Sequence, residues 1–265
     1  MGTARVITLI TDFGDTSGYV GVMKGVILSI NPGCQIVDIT HHISPQDREE
    51  AAFVLQSVYP FFPSNSVHLV VVDPGVGTDR KPIIVESGQN WFVGPDNGVF
   101  SCIFLKDQGR KVWEITNEQY YLPQVSTTFQ GRDIFAPIAA HISLGVSVHV
   151  LGKELEHYLH LEGLEPERNQ DGIKGRVICI DHFGNLVSNI SRQLFTMVVG
   201  DKPFRIRVGG LAIHTISHTY ADGRDGEVIA LFGSSSQLEI SLRNGNCQKF
   251  LQVAKGSEVS VHLLS

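Results

Sequence analysis

The sequence predicts an α/β protein. We expect an N-terminal α/β sandwich-like domain with a central, mostly parallel sheet, followed by a smaller C-terminal antiparallel β-barrel-like domain. Three observations predict this arrangement: strand and helix patterns alternate in the first half, a polar segment with Gly and Pro spans residues 162–172, and short β-rich runs separated by turns follow it. We assign residues 1–165 to the first domain and residues 172–265 to the second.

Apolar periodicity defines the elements of the first half. Apolar residues at helical spacing from Tyr19 to Ile30 predict a helix that Asn31-Pro32-Gly33 ends. A second helix is expected up to about Tyr59, with Ser44 as its N-cap and Asp47 at the acidic position of a capping box. A third begins within residues 129–133 and runs through Leu144. The predicted strands cover residues 6–11, 35–39, 67–72, 82–86, 91–93 and 112–115.

The second half shows strand signals without long helical patterns. Turn signals such as Gly209-Gly210 and Asp222-Gly223 separate the runs and favour an antiparallel barrel or sandwich. The predicted strands cover residues 176–180, 186–190, 204–208, 211–216, 228–232, 238–242 and 259–264.

Composition limits the partners. The chain of 265 residues carries a formal net charge of −6 and has no run of Lys or Arg, which argues against a nucleic-acid surface and favours a small molecule. No apolar segment approaches the ~18 residues that a membrane span needs. Residues 1–5 run into the first predicted strand without the pattern of a signal peptide, so we expect a cytoplasmic protein that does not bind membranes.

Several familiar chemistries lack their motifs. The chain has no P-loop, no dinucleotide-binding glycine motif after its first strand and no nucleophile elbow. The four cysteines are isolated and predict buried, reduced thiols. His41 and His42 adjoin a strand that contains Asp38, but neighbouring strand residues point to opposite faces and seldom bind one ion. We therefore expect no metal site.

One loop stands out as a candidate site. The apolar residues 70–72 end at Asp73, Pro74 and two glycines then turn the backbone, and Arg80 follows seven positions after the carboxylate. In an α/β fold, ligands bind outside the carboxyl ends of the strands, so Asp73 should face that crevice with Arg80 folding back towards it. A turn with a structural ion pair is the alternative interpretation.

The ordered set of motifs resembles the S-adenosyl-L-methionine (SAM) hydroxide adenosyltransferases, relatives of the SAM-dependent fluorinase and chlorinase. The resemblance extends through both halves and implies hydrolysis of SAM to adenosine and L-methionine. It also implies no cofactor and a homotrimer with sites between subunits. The motifs lie at residues 10–14 and 19–25, 72–77, 94–98, 129–133 with Ala140-His141, and 180–186.

The resemblance implies that Asp73, Arg80 and His141 prepare water or hydroxide for attack on the ribose 5′-carbon. A sulfonium leaves as a neutral thioether, so the chemistry needs a base and an orienting cation and no general acid. Whether Asp73 or His141 takes the proton stays open at this point. Taken alone, His141 could instead be a core histidine.

Binding roles follow from the same resemblance. It places Asp12 on the ribose diol, Asp181 on the methionine ammonium, Phe183 beside the adenine and Asn185 on the edge of the base. The structural alternatives are a loop cap for Asp12 and a β-turn for residues 181–185. Residues 243–246 depart from the family's usual pattern, and we assign no ligands there.

Two other functions compete with hydrolysis. In the halogenases a Tyr replaces the residue at Asp73, and the fluorinase has Ser where this chain has Gly131; a carboxylate at the nucleophile site would also repel a halide. A non-catalytic SAM or adenosine sensor would need Asp12 and Asn185 but not a set that activates water. The carboxylate at Asp73 argues against a halogenase, and the presence of Asp73, Arg80 and His141 together argues against a sensor. Both observations favour the hydrolase.

Overall fold

The computed structural model describes residues 6–264 and divides the chain into two compact units, one ending at Glu162 and one beginning at Gly163. The first unit contains a seven-stranded sheet with the order β2-β1-β3-β5-β4-β6-β7. Its strands are β1 (Val6–Thr11), β2 (Gln35–Thr40), β3 (Val67–Val71), β4 (Pro82–Ser87), β5 (Asn90–Pro95), β6 (Lys111–Ile115) and β7 (Gly152–Glu154).

Strand direction confirms the expected mostly parallel sheet and shows that it is mixed. Strands β1, β2, β3 and β5 are parallel neighbours, whereas β4 is antiparallel to both β5 and β6, and β7 is antiparallel to β6. Five strands therefore run in one direction and two in the other. The carboxyl ends of β1 and β3 lie side by side, since Thr11 pairs with Val71.

Helices cover both faces of this sheet. Alternate residues of β3 enter different cores: Leu69 packs in the cluster that includes Met23 and Ile138, and Val70 packs in the cluster that includes Leu55. Successive side chains of a strand point to opposite faces of the sheet, so the two clusters lie on opposite faces. Helices α1 and α4 therefore cover one face, and α2 and α3 cover the other. The helices are α1 (Tyr19–Ile30), α2 (Arg48–Val58), α3 (Ser101–Lys106), α4 (Ala136–Ser143) and α5 (Val148–Leu151), and a π-helix (Gly131–Phe135) precedes α4.

Helix α2 begins later than its capping pattern predicts. Its N-cap is Asp47, whose side chain accepts a hydrogen bond from the backbone N–H of Glu50 at 2.9 Å. Ser44 instead begins a turn, in which its carbonyl accepts from the N–H of Asp47 at 2.9 Å and Gln46 has a φ of 66°. The prediction of Ser44 as the N-cap is wrong because Asp47 supplies a carboxylate directly before the helix.

The second unit is an antiparallel, barrel-like sheet, as the sequence predicts. Its main path is β12-β11-β15-β9-β10-β14-β13, and β8 pairs with β9. The strands are β8 (Glu167–Asn169), β9 (Gly172–Ile180), β10 (Leu186–Ser191), β11 (Phe204–Val208), β12 (Leu211–Ile213), β13 (Val228–Phe232), β14 (Gln237–Leu242) and β15 (Glu258–Leu263). Two helices that the sequence did not predict are α6 (Arg192–Val199) and α7 (Cys247–Leu251).

Two further expectations bear on the chain as a whole. Within residues 6–264, no helix is long and apolar enough to cross a membrane. Cys34, Cys102 and Cys247 are buried, and Cys179 is half-buried. Burial raises the pKa of the Cys102 and Cys247 thiols to about 12, which keeps both thiols protonated at neutral pH.

The buried His68 makes the stability of the first unit dependent on pH. Its ring is fully buried, stacks on Phe92 at 5.0 Å and shares a hydrogen bond of 2.8 Å with the Thr8 hydroxyl. Burial lowers the pKa of His68 to about 4, whereas the unfolded chain binds this proton near pH 6.5. The neutral ring therefore stabilises the fold above pH 6.5, and this contribution disappears as the pH falls towards 4.

We expect His68→Phe to remove that part of the pH dependence. Between pH 6.5 and pH 4 the wild-type free energy of unfolding should fall by about 3 kcal/mol more than that of the variant. Urea unfolding at several pH values measures the difference. Parallel pH profiles for the two proteins would contradict a neutral buried His68.

Candidate functional site

Two carboxylates lie at neighbouring strand ends of the first unit. Because Thr11 of β1 pairs with Val71 of β3, Asp12 and Asp73 follow at the same edge of the sheet. One Asp12 oxygen accepts a hydrogen bond from the backbone N–H of Gln46 at 2.8 Å. Since that contact uses one of its acceptor positions, the Asp12 carboxylate retains acceptor capacity for a ligand.

Asp73 and Arg80 form the ion pair that the loop predicts. The Arg80 Nε donates to both Asp73 oxygens at 2.9 Å, and the Arg80 Nη2 donates to Oδ2. The two side chains are only 6% and 7% exposed, so water screens the pair weakly. Arg80 thus holds the Asp73 carboxylate in one orientation, as an orienting cation beside a catalytic base would.

Gln130 completes the surroundings of Arg80 and was not identified from the sequence. Its side-chain oxygen accepts from Arg80 Nη2 at 2.5 Å, and the guanidinium lies 5.1 Å from the Phe135 ring centre. Gln130 adjoins Gly131 in the motif at residues 129–133, which is the signal that could have identified it. The contact links the loop after β3 to the start of the π-helix.

The loop between Asp73 and Arg80 needs a glycine at position 77. Gly77 has a φ of 81°, and a Cβ there would lie 2.8 Å from the backbone oxygen of Thr127. The backbone can therefore approach the segment that carries Gln130 only if residue 77 has no side chain. The sharp turn that the sequence predicts thus also brings the backbone at Gly77 close to the backbone at Thr127.

These elements enclose a cavity of about 320 Å³, the N-terminal cavity. Three aromatic rings on its wall contact one another edge to face, with centroid distances of 5.1–5.8 Å between Phe13, Tyr19 and Phe129. They offer apolar surface next to the carboxylates. The cavity is lined by Asp12, Phe13, Tyr19, Gln46, Val71, Asp73, Val76, Thr128, Phe129, Gln130 and Gly131.

His141 is not among the residues that line this cavity. It lies near the C-terminal end of α4, about 15 Å along the helical axis from Gly131. Ser143, two residues further on, accepts a hydrogen bond from Asn31, which directly follows α1 and precedes β2 at the opposite edge of the sheet. The His141 ring meets the edge of Tyr120 at 4.8 Å, and burial lowers its pKa. The structure therefore brings Asp73 and Arg80 together but not His141.

In the second unit, residues 181–185 form a turn that the Asp181 carboxylate holds together. One oxygen accepts from the backbone N–H groups of Phe183 and Asn185 at 2.9 and 2.8 Å, and the other accepts from the Asn185 side chain at 2.8 Å. The turn leaves Phe183 74% exposed and Asn185 buried. An exposed ring next to a buried amide suits stacking and hydrogen bonding to a flat heterocycle.

This turn borders a cavity of about 770 Å³, the C-terminal cavity. Tyr220 and Glu239 line it and were not singled out from the sequence; the Tyr220 hydroxyl donates to Glu239 Oε1 at 2.6 Å. Burial, reinforced by this hydrogen bond, raises the pKa of Tyr220. The lining residues are Asp181, Phe183, Asn185, Tyr220, Ala221, Ser234, Glu239, Leu242, Arg243, Asn244 and Gly245.

The histidine pair next to β2 has protein partners. His41 bonds to Thr11 at 2.9 Å and lies 3.0 Å from Asp38, whereas His42 contacts Asp15 at 2.6 Å. The two rings therefore engage different carboxylates. In the part of the chain that the structure describes, no group of three or more His, Cys, Asp or Glu side chains could hold a metal ion.

Comparison with known proteins adds independent information. The model of the SAM hydroxide adenosyltransferase N-terminal domain matches residues 7–152, and that of the C-terminal domain matches residues 175–260. An (R)-S-adenosyl-L-methionine hydrolase of Salinispora tropica is 34% identical, over 96% of this chain and 97% of its own. A fluorinase of Nocardia brasiliensis is 26% identical over 91% of both chains. The crystal structure of an uncharacterized conserved protein from Thermotoga maritima, 36% identical, superposes with a TM-score of 0.90 and covers 97% of this chain and 100% of its own.

Proposed function

The chain belongs to the SAM hydroxide adenosyltransferase family, and on that premise we propose that it hydrolyses SAM to adenosine and L-methionine. The observation that carries this proposal is the buried Asp73–Arg80 pair beside the N-terminal cavity, which Asp12 also lines. The name of the Salinispora tropica relative specifies the (R) form of the sulfonium compound. We propose the same configuration for the substrate of this chain.

In the proposed reaction, a water oxygen bonds to the ribose 5′-carbon as the bond from that carbon to sulfur breaks. The bonding pair stays on sulfur, which leaves as the neutral thioether of methionine. The water loses one proton, and Asp73 is the base that this proposal assigns to it, because Asp73 lines the cavity and His141 does not. Arg80 orients the carboxylate, and Gln130 orients Arg80.

The same proposal assigns the binding residues. Asp12 accepts hydrogen bonds from the ribose hydroxyls, Phe183 stacks on the adenine, and Asn185 forms a hydrogen bond with the edge of the adenine. One N–H of the Asn185 amide is donated to Asp181, and we assign Asn185 Oδ1 to the base as an acceptor. An adenine amino group supplies the matching donor.

Water as the nucleophile is favoured over a halide by the N-terminal cavity. The Asp73 carboxylate lines its wall, and a halide would be repelled by that charge. A Cβ at Gly131 would lie 3.2 Å from Val71 Cγ1 and 3.4 Å from Met23 Sδ, so even a small side chain there requires its neighbours to move. The Ser that the fluorinase has at this position would therefore not fit without such a movement.

We propose that the reaction needs neither a metal nor a cofactor. The sulfonium already carries the positive charge that a Lewis acid would otherwise supply to a leaving group. SAM is thus the substrate and not a resident group. The cytoplasmic location stays a prediction from the sequence.

We expect purified protein in ¹⁸O-labelled water to convert SAM into labelled adenosine and unlabelled methionine. The label enters the 5′-hydroxyl because water attacks that carbon, and mass spectrometry of the separated products measures it. A mixture of both sulfonium epimers should show preferential loss of the (R) form. EDTA should leave the rate unchanged, and added chloride or fluoride should produce no 5′-halogenated nucleoside. Unlabelled adenosine, or activity that depends on one divalent ion, would contradict the proposal.

We further propose a homotrimer in which the N-terminal cavity of one chain and the C-terminal cavity of its neighbour complete one substrate site. Two observations support it: Asp12, Asp73 and Arg80 belong to the first unit, whereas Asp181, Phe183 and Asn185 belong to the second. A head-to-tail contact between copies closes into a ring of three when each copy is rotated by a third of a turn from the last.

Mixing inactive Asp73→Asn protein with inactive Asn185→Ala protein should restore part of the activity. Some interfaces in the mixed rings pair two intact halves, so activity should rise only after subunits exchange. Mass photometry and fluorescence energy transfer between labelled chains measure assembly and exchange. No recovery after confirmed exchange, or full activity from a monomer, would contradict the shared site.

A further inference from the structure

The motif at residues 94–98 lies at the end of β5, and the proposed reaction gives its side chains no role. Strand β5 is the parallel neighbour of β3, so the residues that follow the two strands emerge at the same edge of the sheet. A Cβ at Gly94 would collide with the backbone oxygen of Val70, so the glycine lets β5 approach β3 closely. The motif therefore lies beside the end of β3, which Asp73 follows.

Asn97 of this motif makes two hydrogen bonds with its side-chain amide. Nδ2 donates to the Val72 carbonyl at 2.9 Å, and Oδ1 accepts from the backbone N–H of Val99 at 3.1 Å. The second bond determines the orientation of the amide, because a backbone N–H needs an acceptor. The amide therefore presents its N–H to Val72.

The Val72 carbonyl belongs to the peptide group that joins Val72 to Asp73. Pairing of β3 with β1 supports the main chain as far as Val71, and Val72 follows as a fully buried residue. Because a peptide group is planar, a hydrogen bond to its oxygen restricts the orientation of the whole group. Asn97 thus restricts the direction in which the Asp73 side chain leaves the main chain.

Asn97 is itself held in place. It is only 6% exposed, and its backbone carbonyl accepts from Arg48 Nη1 at 2.8 Å, where Arg48 is the first residue of α2. Its own N–H donates to the Pro95 carbonyl at 3.0 Å. Hydrogen bonds to both the backbone and the side chain leave Asn97 little freedom, as a supporting residue requires.

We propose that Asn97 is a positioning residue for the base Asp73, an inference that rests on the proposed function. Arg80 fixes the carboxylate oxygens of Asp73, and Asn97 fixes the main chain from which the carboxylate extends. Together they keep the base at the distance and angle that the attack of water requires. Asn97 is not among the residues that line the N-terminal cavity, so it acts through Asp73.

Asn97→Asp tests this role because it keeps the size of the side chain and the acceptor for Val99. It replaces the donor to Val72 with a carboxylate oxygen, which the carbonyl repels. We expect kcat for SAM hydrolysis to fall by about 10- to 100-fold, as for a displaced catalytic group. The Kd for SAM, measured by calorimetry, should stay within about twofold. Asn97→Ala adds no charge and should show the same split between kcat and Kd if Asn97→Asp does not fold.

Asn117→Asp is the matched control. Asn117 makes the same pair of contacts elsewhere in the first unit: Nδ2 donates to the Val150 carbonyl at 2.9 Å, and Oδ1 accepts from the N–H of Gln119 at 3.2 Å. It is not among the lining residues of either cavity. Loss of its amide donor should therefore leave kcat within about twofold.

The double variant Asp73→Asn/Asn97→Asp tests whether Asn97 acts through Asp73. Measured in single turnovers with enzyme in excess, its rate should lie within about twofold of that of Asp73→Asn, because no base remains to be positioned. Losses that multiply in the double variant would overturn the proposal. So would an unchanged kcat in folded Asn97→Ala, or equal losses of kcat in Asn97→Asp and Asn117→Asp. Wild-type protein that does not hydrolyse SAM would instead overturn the proposed function.

Discussion

Asp73→Asn should lower kcat for SAM hydrolysis by about 10²- to 10⁴-fold, the usual contribution of a general base. The amide has the shape of the carboxylate but cannot take the proton of the attacking water. KM should change little, because Asp73 acts on the nucleophile and not on the bound substrate. Steady-state kinetics measure both parameters, and calorimetric titration with SAM measures binding separately.

Asp79→Asn is the matched control for this variant. Asp79 is an exposed carboxylate of the same loop, next to Arg80 in the sequence, and it does not line the N-terminal cavity. Its neutralisation should leave kcat within about twofold, as expected for a screened surface charge. Equal losses of kcat in Asp73→Asn and Asp79→Asn would show that activity depends on the total charge of the loop and not on a base at position 73. An active Asp73→Asn enzyme would exclude Asp73 as the base.

Arg80→Met should lower the free energy of unfolding by about 3–5 kcal/mol, because it leaves the Asp73 carboxylate buried without its cation. Met covers a similar length of apolar surface and cannot donate hydrogen bonds. The double variant Asp73→Asn/Arg80→Met should recover most of that stability while remaining inactive. Urea unfolding and product formation, measured on the same preparations, separate the two effects.

Lys81→Met provides the comparison for charge removal in this region. Lys81 pairs with Glu114 at 3.1 Å but is 42% exposed, so its loss should cost no more than about 1 kcal/mol. Arg80→Lys keeps the positive charge but loses the forked geometry of the guanidinium. Relative to the wild type, this variant should therefore keep a larger share of its stability than of its activity. A double variant as unstable as Arg80→Met would indicate that the loss comes from packing of the guanidinium on Phe135 and not from the unpaired carboxylate.

Much of the architecture could be read from the sequence because local physics determines it. The boundaries of β1 and α1 agree with the apolar runs and helical spacing that predict them. The ion pair between Asp73 and Arg80 follows from the same cause, since the Pro- and Gly-rich loop of residues 74–79 brings its two ends together. The turn at residues 181–185 is likewise local, because the Asp181 side chain bonds to neighbours within four positions.

The start of α2 shows where local signals compete. Ser44 and Asp47 both suit an N-cap, and the sequence offers no means of ranking them. In the structure Gln46 adopts a positive φ and donates its N–H to Asp12, which lies 34 positions earlier in the chain. A long-range hydrogen bond thus accompanies the later start of the helix.

The composition of the site beyond these local features was decided by tertiary structure. His141 shares a helical segment with residues of the N-terminal cavity, but a helix rises about 1.5 Å per residue and carries it away from them. Gln130 reaches Arg80 across 50 positions, and Tyr220 reaches Glu239 across 19. By itself, the sequence determined the layers, most element boundaries and the contacts between residues of the same loop. Only the packed fold decided which side chains from separate loops share a cavity, because such contacts depend on strand order and helix direction, which no local pattern records.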